Sequence, residues 1–394
     1  MHAQPDLPPE PSAAGDDALT GPVTDPAAPD AAPDVPAAPP VTRRAVLLSG
    51  GTLAAAVLLV VLLLMPVPYA VNSPGPTLDT LGSHDGTELI TIEGAPTYDA
   101  TGELRLTTVS TTGGPGYPSS VLGVLAGWVS PSQLVVPVET VFPQDATQEQ
   151  LDQQNEAQMV SSQENATVAA LEELGYEVPV TLTVHDAVPG SGAEGVVEPG
   201  DVLLDFDGTP LTSYGQLIDL LAGTEPGSTV TLGVRRDGAD VDLDVVTGER
   251  EDGDGSQLGV FIDPEFDPPV DVSIQIDRIG GSSAGTMFAL GIIDRLTPED
   301  EAAGQVIAGT GTMDLNGDVG PIGGIRQKMA GALRDGARWF LAPADNCDEV
   351  VGHVPDGLDV VRISTLHEAR EAVAAIGAGE TGDLPTCTAG GAEG

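Results

Sequence analysis

The sequence predicts an α+β protein carrying one N-terminal transmembrane helix. Three observations lead there. A long run without charge lies near the start, a middle region of short strands is broken by Gly/Pro turns, and in the last third strands alternate with helices. Formal net charge is −46 over 394 residues. Phosphate would be repelled, which argues against a nucleic-acid partner; the acid spread over the chain reads as a solvated surface. Lys328 is the only lysine, and every other basic side chain is arginine. A GC-rich genome would lower lysine in the same way. Arginine stays charged at any accessible pH, however, while a desolvated lysine can lose its proton, so a retained lysine also points to a base.

Residues 1–42 are rich in Pro, Ala and Asp and show no apolar periodicity. They cannot bury enough surface to offset ordering entropy, so a disordered tail is expected. Arg43 and Arg44 precede the uncharged run Ala45–Met65. At about 1.5 Å per residue this run covers roughly 30 Å, the core of a bilayer. An anchor over 43–66 is preferred to a cleaved signal peptide, whose apolar part would be shorter and nearer the terminus; Pro68-Tyr69-Ala70 is also a poor cleavage site. The paired arginines place the tail inside and the body outside the cell membrane.

Residues 67–165 open with β-branched runs at Glu88–Glu93, Glu103–Ser110 and Gln133–Val141, with a short helix expected over Ser119–Trp128. Gln148–Leu174 carries Leu151, Met159, Val168 and Leu171 at helical spacing and has no Gly or Pro before its end, so one helix or a helix pair is expected. Strands and one helix, Tyr214–Leu221, follow to Thr247. Glu249–Gln257 is rich in Glu, Asp and Gly and reads as a linker. From 250 to 376 the pattern gives strands at Val270–Ile276, Gln305–Gly311, Trp339–Ala342 and Asp359–Ile363, and helices at Ser283–Leu296, Ile325–Arg334 and Leu366–Ile376. The end, 377–394, reads as a loose tail.

The chemistry lies between Ile279 and Lys328. Ser283, in Gly280-Gly281-Ser282-Ser283-Ala284-Gly285-Thr286, stands where the chain enters a helix, whose unpaired N–H groups suit a developing oxyanion. A serine there can equally be a helix cap. A serine hydroxyl needs a neighbouring base, and Lys328 closes the run Gly317-Asp318-Val319-Gly320-Pro321-Ile322-Gly323-Gly324-Ile325-Arg326-Gln327-Lys328. A Ser–His–Asp arrangement is the rival, but His84, His185, His353 and His367 sit in no recognisable motif. No His/Cys/Glu cluster has metal-ligand spacing, and no cofactor is expected. Cys347 and Cys387 fall in the external region, where disulfides survive; a bridge between them is expected, with two separate thiols the alternative.

Two resemblances sharpen these readings. Pro189-Gly190-Ser191-Gly192-Ala193-Glu194-Gly195, Pro199-Gly200-Asp201 and Asp207-Gly208 resemble the PDZ domains of bacterial exported proteases, which implies a PDZ domain over 166–249. The resemblance implies a peptide added as a strand between Pro179–His185 and Tyr214–Leu221, with Gly175–Val178 receiving a carboxylate and Tyr176, Val178, Val180, Leu182 and Leu217 as contacts. Gly280–Thr286 with Gly317–Lys328 resembles the proteolytic domain of Lon-type serine peptidases. That implies Ser283 as nucleophile, Lys328 as general base, Thr310 bonded to the lysine, and Gly281 and Ala284 near the oxyanion. Many Lon proteases have Asp-Gly-Pro where this chain has Gly280-Gly281-Ser282, which leaves Ser282 as an alternative nucleophile. The whole chain is similar to membrane-anchored, PDZ-containing Lon-like peptidases. Gly102–Val109 resembles an early strand of the Lon-type sheet, so the PDZ domain would be inserted into the catalytic domain or precede it.

The resemblance implies an endopeptidase acting on exported or membrane-associated proteins, and it allows a homo-oligomer. ATP use is not expected: a phosphate loop needs Gly-Lys-Ser/Thr, and the single lysine follows Gln327. The competing reading is a PDZ scaffold with an inert peptidase-like domain.

Overall fold

A computed structural model of the chain describes residues 42–84, 86–143, 147–250, 255–276 and 279–388. The tail expected over 1–42 lies outside these residues apart from Thr42, as do the middle of the acidic linker and residues 389–394. Helix α1 is Arg43–Leu64. Its leucines and valines are exposed all round, unlike those of a core helix, and by length and composition it can cross a membrane.

In the body, β1 (Pro66–Val67) and β2 (Tyr69–Asp79) lead to β3 (Ile90–Glu93) and β4 (Glu103–Thr112). β5 (Ser119–Ser120), helix α2 (Val121–Val129) and β6 (Leu134–Pro137) follow, then α3 (Gln148–Glu173), which is one continuous helix. Thr147 and Gln150 form a reciprocal capping box at its start, satisfying amides that have no partner inside the helix.

The PDZ part contains β7 (Val180–Ala187), β8 (Val202–Phe206), α4 (Tyr214–Ala222), β9 (Thr229–Arg236), β10 (Ala239–Val246) and β11 (Val260–Phe266). The chain then returns through β12 (Asp271–Ile274) to α5 (Gly285–Leu296), β13 (Val306–Gly309), α6 (Ile325–Arg334), β14 (Trp339–Pro343), β15 (Asp359–Ile363) and α7 (Leu366–Ala378). β12 pairs with β3 rather than with the central sheet.

The central sheet runs β15-β14-β13-β4-β2-β6. Its first four strands are parallel, β2 is added antiparallel to β4, and β6 antiparallel to β2. β4 comes before the segment Val180–Phe266 in the chain and β13 after it, so their pairing from Val306↔Glu103 to Gly309↔Leu106 builds one sheet from both sides of that segment. Side chains alternate across the sheet. Ile307 and Leu341 join the core formed with α5, while Ala308, Phe340 and Ala342 join the core formed with α6. Parallel strands covered on both faces account for the continuous apolar runs in this half of the sequence. Helix α5 is its centre, with Met287, Phe288, Ala289, Ile292 and Ile293 fully buried.

Two expected boundaries move. Ala166, Ala169 and Ala170 pack into the catalytic core, so the start of the 166–249 segment belongs by packing to the catalytic side. Val260–Phe266, expected in the 250–376 catalytic segment, instead pairs with β7 from Val260↔Ala187 to Phe266↔Val180 and completes the PDZ sheet, ordered β10-β9-β8-β7-β11. The expected loose tail is also tied down in part. Cys347 and Cys387 are bridged, and the Arg362 amide donates to the Pro385 carbonyl at 2.9 Å.

Candidate active site

Ser283 sits in the loop entering α5, and helix α3 holds that loop. The Gly281 amide donates to the Asn155 carbonyl at 3.1 Å, and Ser162 Oγ donates to the Ser282 carbonyl at 3.1 Å. At Gly280 a β-carbon would stand 2.5 Å from Asn155 Cβ, so only glycine allows this approach. On the other side, the Gly311 amide and Thr310 Oγ1 both donate to the Ser283 carbonyl, at 3.1 and 2.9 Å. Gly281 is therefore not a free oxyanion donor as expected: its amide is committed to α3. Ala284 is the N-cap of α5, next to Ser283.

Lys328 comes from α6, which starts after Gly324 in the left-handed region (φ 72°). The side chain is 2% exposed. Its Nζ lies 2.7 Å from Ser283 Oγ, 3.0 Å from Thr310 Oγ1 and 2.9 Å from the Thr107 carbonyl oxygen. It is Ser283, not Ser282, that meets the amine. The Thr107 carbonyl can only accept, and Thr310 Oγ1, whose hydrogen goes to the Ser283 carbonyl, accepts here as well. A neutral amine has two hydrogens for these two acceptors, and its lone pair is left for the Ser283 hydroxyl hydrogen. Burial agrees with this form: desolvation pushes the Lys328 amine down to about 7.

Thr107 and α3 were not read from the sequence as parts of the site. A backbone carbonyl has no side-chain signature, and Asn155 and Ser162 lie far from Ser283 along the chain. The only hint was the likeness of Gly102–Val109 to a Lon-type strand.

A cleft of about 870 Å³ opens over the dyad. One wall is β4 from Thr108 to Thr111, and the other is the face of α3 bearing Gln148, Leu151, Gln154, Asn155 and Gln158. Among the described residues no histidine lines it, and no group of His, Cys, Asp or Glu could hold a metal.

The PDZ groove lies elsewhere than expected. β7 is bonded on both sides, to β8 and to β11, so it has no edge to offer a peptide, and Val178 and Leu182 are each only 1% exposed. The groove of about 340 Å³ runs between α4 and β11, bounded by Tyr214, Leu217, Ile218 and the Leu258–Ile262 segment. Of the expected contacts only Leu217 lines it; Tyr176, Val178, Val180 and Leu182 do not.

Two family models match. Residues 275–375 match the Lon protease (S16) C-terminal proteolytic domain, and residues 157–247 match the PDZ domain. The chain thus carries one region similar to a Lon-type proteolytic domain and another similar to a PDZ domain. It is 30% identical over 173 residues to Lon protease 1 of Bacillus subtilis, which covers 41% of this chain and 21% of that protein. It is 30% identical over 110 residues to the archaeal Lon protease of Archaeoglobus fulgidus, covering 26% of this chain and 17% of that one. The chain thus spans about a fifth of the length of those relatives. Among solved structures, the PDZ domain of an SdrC-like protein from Listeria monocytogenes matches with a TM-score of 0.20 at 18% identity, covering 22% of this chain and 88% of that one.

Proposed function

We propose that the chain is a membrane-anchored serine endopeptidase that cleaves exported or membrane-associated protein segments without ATP. The observation that carries this reading is the 2.7 Å approach of the buried Lys328 amine, whose pKa burial lowers to about 7, to Ser283 Oγ. The amine takes the hydroxyl proton as Oγ attacks the scissile carbonyl, and the tetrahedral oxyanion forms beside the N-terminus of α5. The resulting ammonium gives its proton to the leaving amine, and water then releases the acyl group from Oγ with the amine again acting as base. Thr310 and the Thr107 carbonyl keep the amine aimed through the cycle.

Strand β4 supports an extended substrate. Its partner β13 ends at Gly309↔Leu106, so Thr108–Thr111 outrun that strand along the cleft and leave an edge to which a peptide can add. Helix α1 supports anchoring, with Arg43 and Arg44 on the inner side. The single lysine follows Gln327 rather than Gly and so belongs to no phosphate loop; action without ATP on flexible substrates is part of the proposal. A fluorophosphonate probe on the full chain at mildly alkaline pH is expected to modify Ser283, and casein is expected to be cleaved without nucleotide. Absence of labelling at every pH, or cleavage only with added ATP, would refute the reading.

The PDZ domain is the natural presenter of substrate, through the open edge of β11. Ile218→Asp is expected to weaken binding of a C-terminal hydrophobic peptide by about tenfold or more, because a carboxylate would be desolvated in the groove. Tyr176→Asp, away from the groove, is expected to leave binding unchanged. Titration by fluorescence anisotropy checks both, and the opposite ranking would return the groove to β7.

A further inference from the structure

Helix α2 has the sequence Val-Leu-Gly-Val-Leu-Ala-Gly-Trp-Val, with no polar side chain. It shows solvent much of this apolar surface: Leu122 is 53% exposed, Leu125 44%, Trp128 61% and Val129 84%. Only its inner face is packed. At Gly127 a β-carbon would meet Val135 Cγ2 at 2.6 Å and Val71 Cγ1 at 3.2 Å, so the helix lies close on β2 and β6. An apolar helix this exposed at the surface of a strongly acidic protein calls for a partner.

The chain itself indicates which one. The Val121 amide, first in α2, donates to the carbonyl of Met65, the residue that follows α1, and β1 pairs with β5 immediately before α2. The exposed face is therefore fastened where the membrane-length helix ends. Tyr69 packs edge-on against Trp128 with ring centroids 6.2 Å apart, a pair of amphipathic rings of the kind that collects at headgroup level. Charge selects the same face. In a chain of net charge −46, Ala45–Leu78 and Leu106–Val138 contain no Asp, Glu, Lys or Arg. Anionic headgroups repel the acidic remainder of the body and leave this face free to approach.

We propose that α2, with the Tyr69–Trp128 pair, docks into the outer headgroup boundary of the bilayer as an interfacial helix. The proposal rests on the membrane-anchored reading of α1. Tyr117, from the same uncharged segment, and Val141 and Phe142, just after Glu139, line the catalytic cleft, so docking sets the cleft beside the lipid surface and directs it to juxtamembrane segments of substrates.

The test uses the full chain with Trp339→Phe, which leaves Trp128 as its only tryptophan, reconstituted in vesicles of brominated phosphatidylcholine. Flotation after an alkaline carbonate wash reports the anchor, and tryptophan emission reports docking. Bromine near the headgroup end of the acyl chain is expected to cut Trp128 emission roughly twofold, and bromine near the methyl end to cut it less. Leu122→Asp with Leu125→Asp is expected to restore emission while the protein still floats and still hydrolyses a soluble peptide. Full emission from floating protein overturns docking and leaves the anchor standing; if cross-linking through α2 then yields dimers, a second copy covers the face instead. Protein that fails to float overturns both.

Discussion

Ser283→Ala and Lys328→Arg are each expected to lower kcat for a flexible protein substrate by roughly 10⁴-fold or more, since a nucleophile and its base act as one unit. The alanine removes the attacking oxygen. The arginine keeps a positive charge, but a guanidinium does not deprotonate and cannot take the Ser283 proton. It also brings more hydrogens than the Thr107 carbonyl and Thr310 Oγ1 can accept in a site that is 2% exposed. Lys328→Met is the companion variant, similar in length and free of buried charge, should the arginine disturb folding. Peptide binding in the β11 groove reports that the body is intact, because that groove shares no residue with the dyad. Turnover by Lys328→Met within about tenfold of the parent would mean that another group is the base.

The pH profile is the second large effect. The reactive form is the neutral amine, and burial lowers the Lys328 pKa from 10.5 to about 7. On an uncharged peptide, kcat/KM is expected to level off above about pH 7 and to fall about tenfold for each pH unit below it. An unshifted lysine would instead give a rate still climbing at pH 9. The same shift has a sign in stability. Between about 7 and 10.5 the unfolded chain holds a proton on Lys328 that the folded chain has released, so folding is favoured more as pH rises through that window. Below it both states are protonated and the full cost of burying the charge remains. The difference in urea midpoint between the parent and Lys328→Met, with the methionine variant more stable near neutrality, is therefore expected to narrow as pH rises. A pH-independent difference would mean that the amine is not desolvated.

Much of the site was legible because it is written in local sequence. The glycines around Ser283 and the run ending at Lys328 mark tight turns at helix entries, and the single lysine stands out in a chain that otherwise uses arginine. Helices α5 and α6 and strand β15 follow from apolar spacing close to their observed limits. The PDZ groove misled for a definite reason: Val260–Phe266 was not read as a strand, so nothing marked β7 as an inner strand with β11 on its outer side. Which one is open depends on long-range pairing. Gly281 misled similarly, since only the fold brings the Asn155 carbonyl to its amide.

By itself the sequence determined the apolar span, the PDZ-like turns and the Ser283–Lys328 pair proposed as nucleophile and base, because composition, turn chemistry and helix entry are short-range properties. The tertiary structure decided that β4 joins β13 across the segment Val180–Phe266, that a backbone oxygen of Thr107 steadies the amine, and that α2 turns its apolar side outward. Each of these depends on contacts between residues distant along the chain, whose closure is set by the packing of the whole body and leaves no local pattern to read.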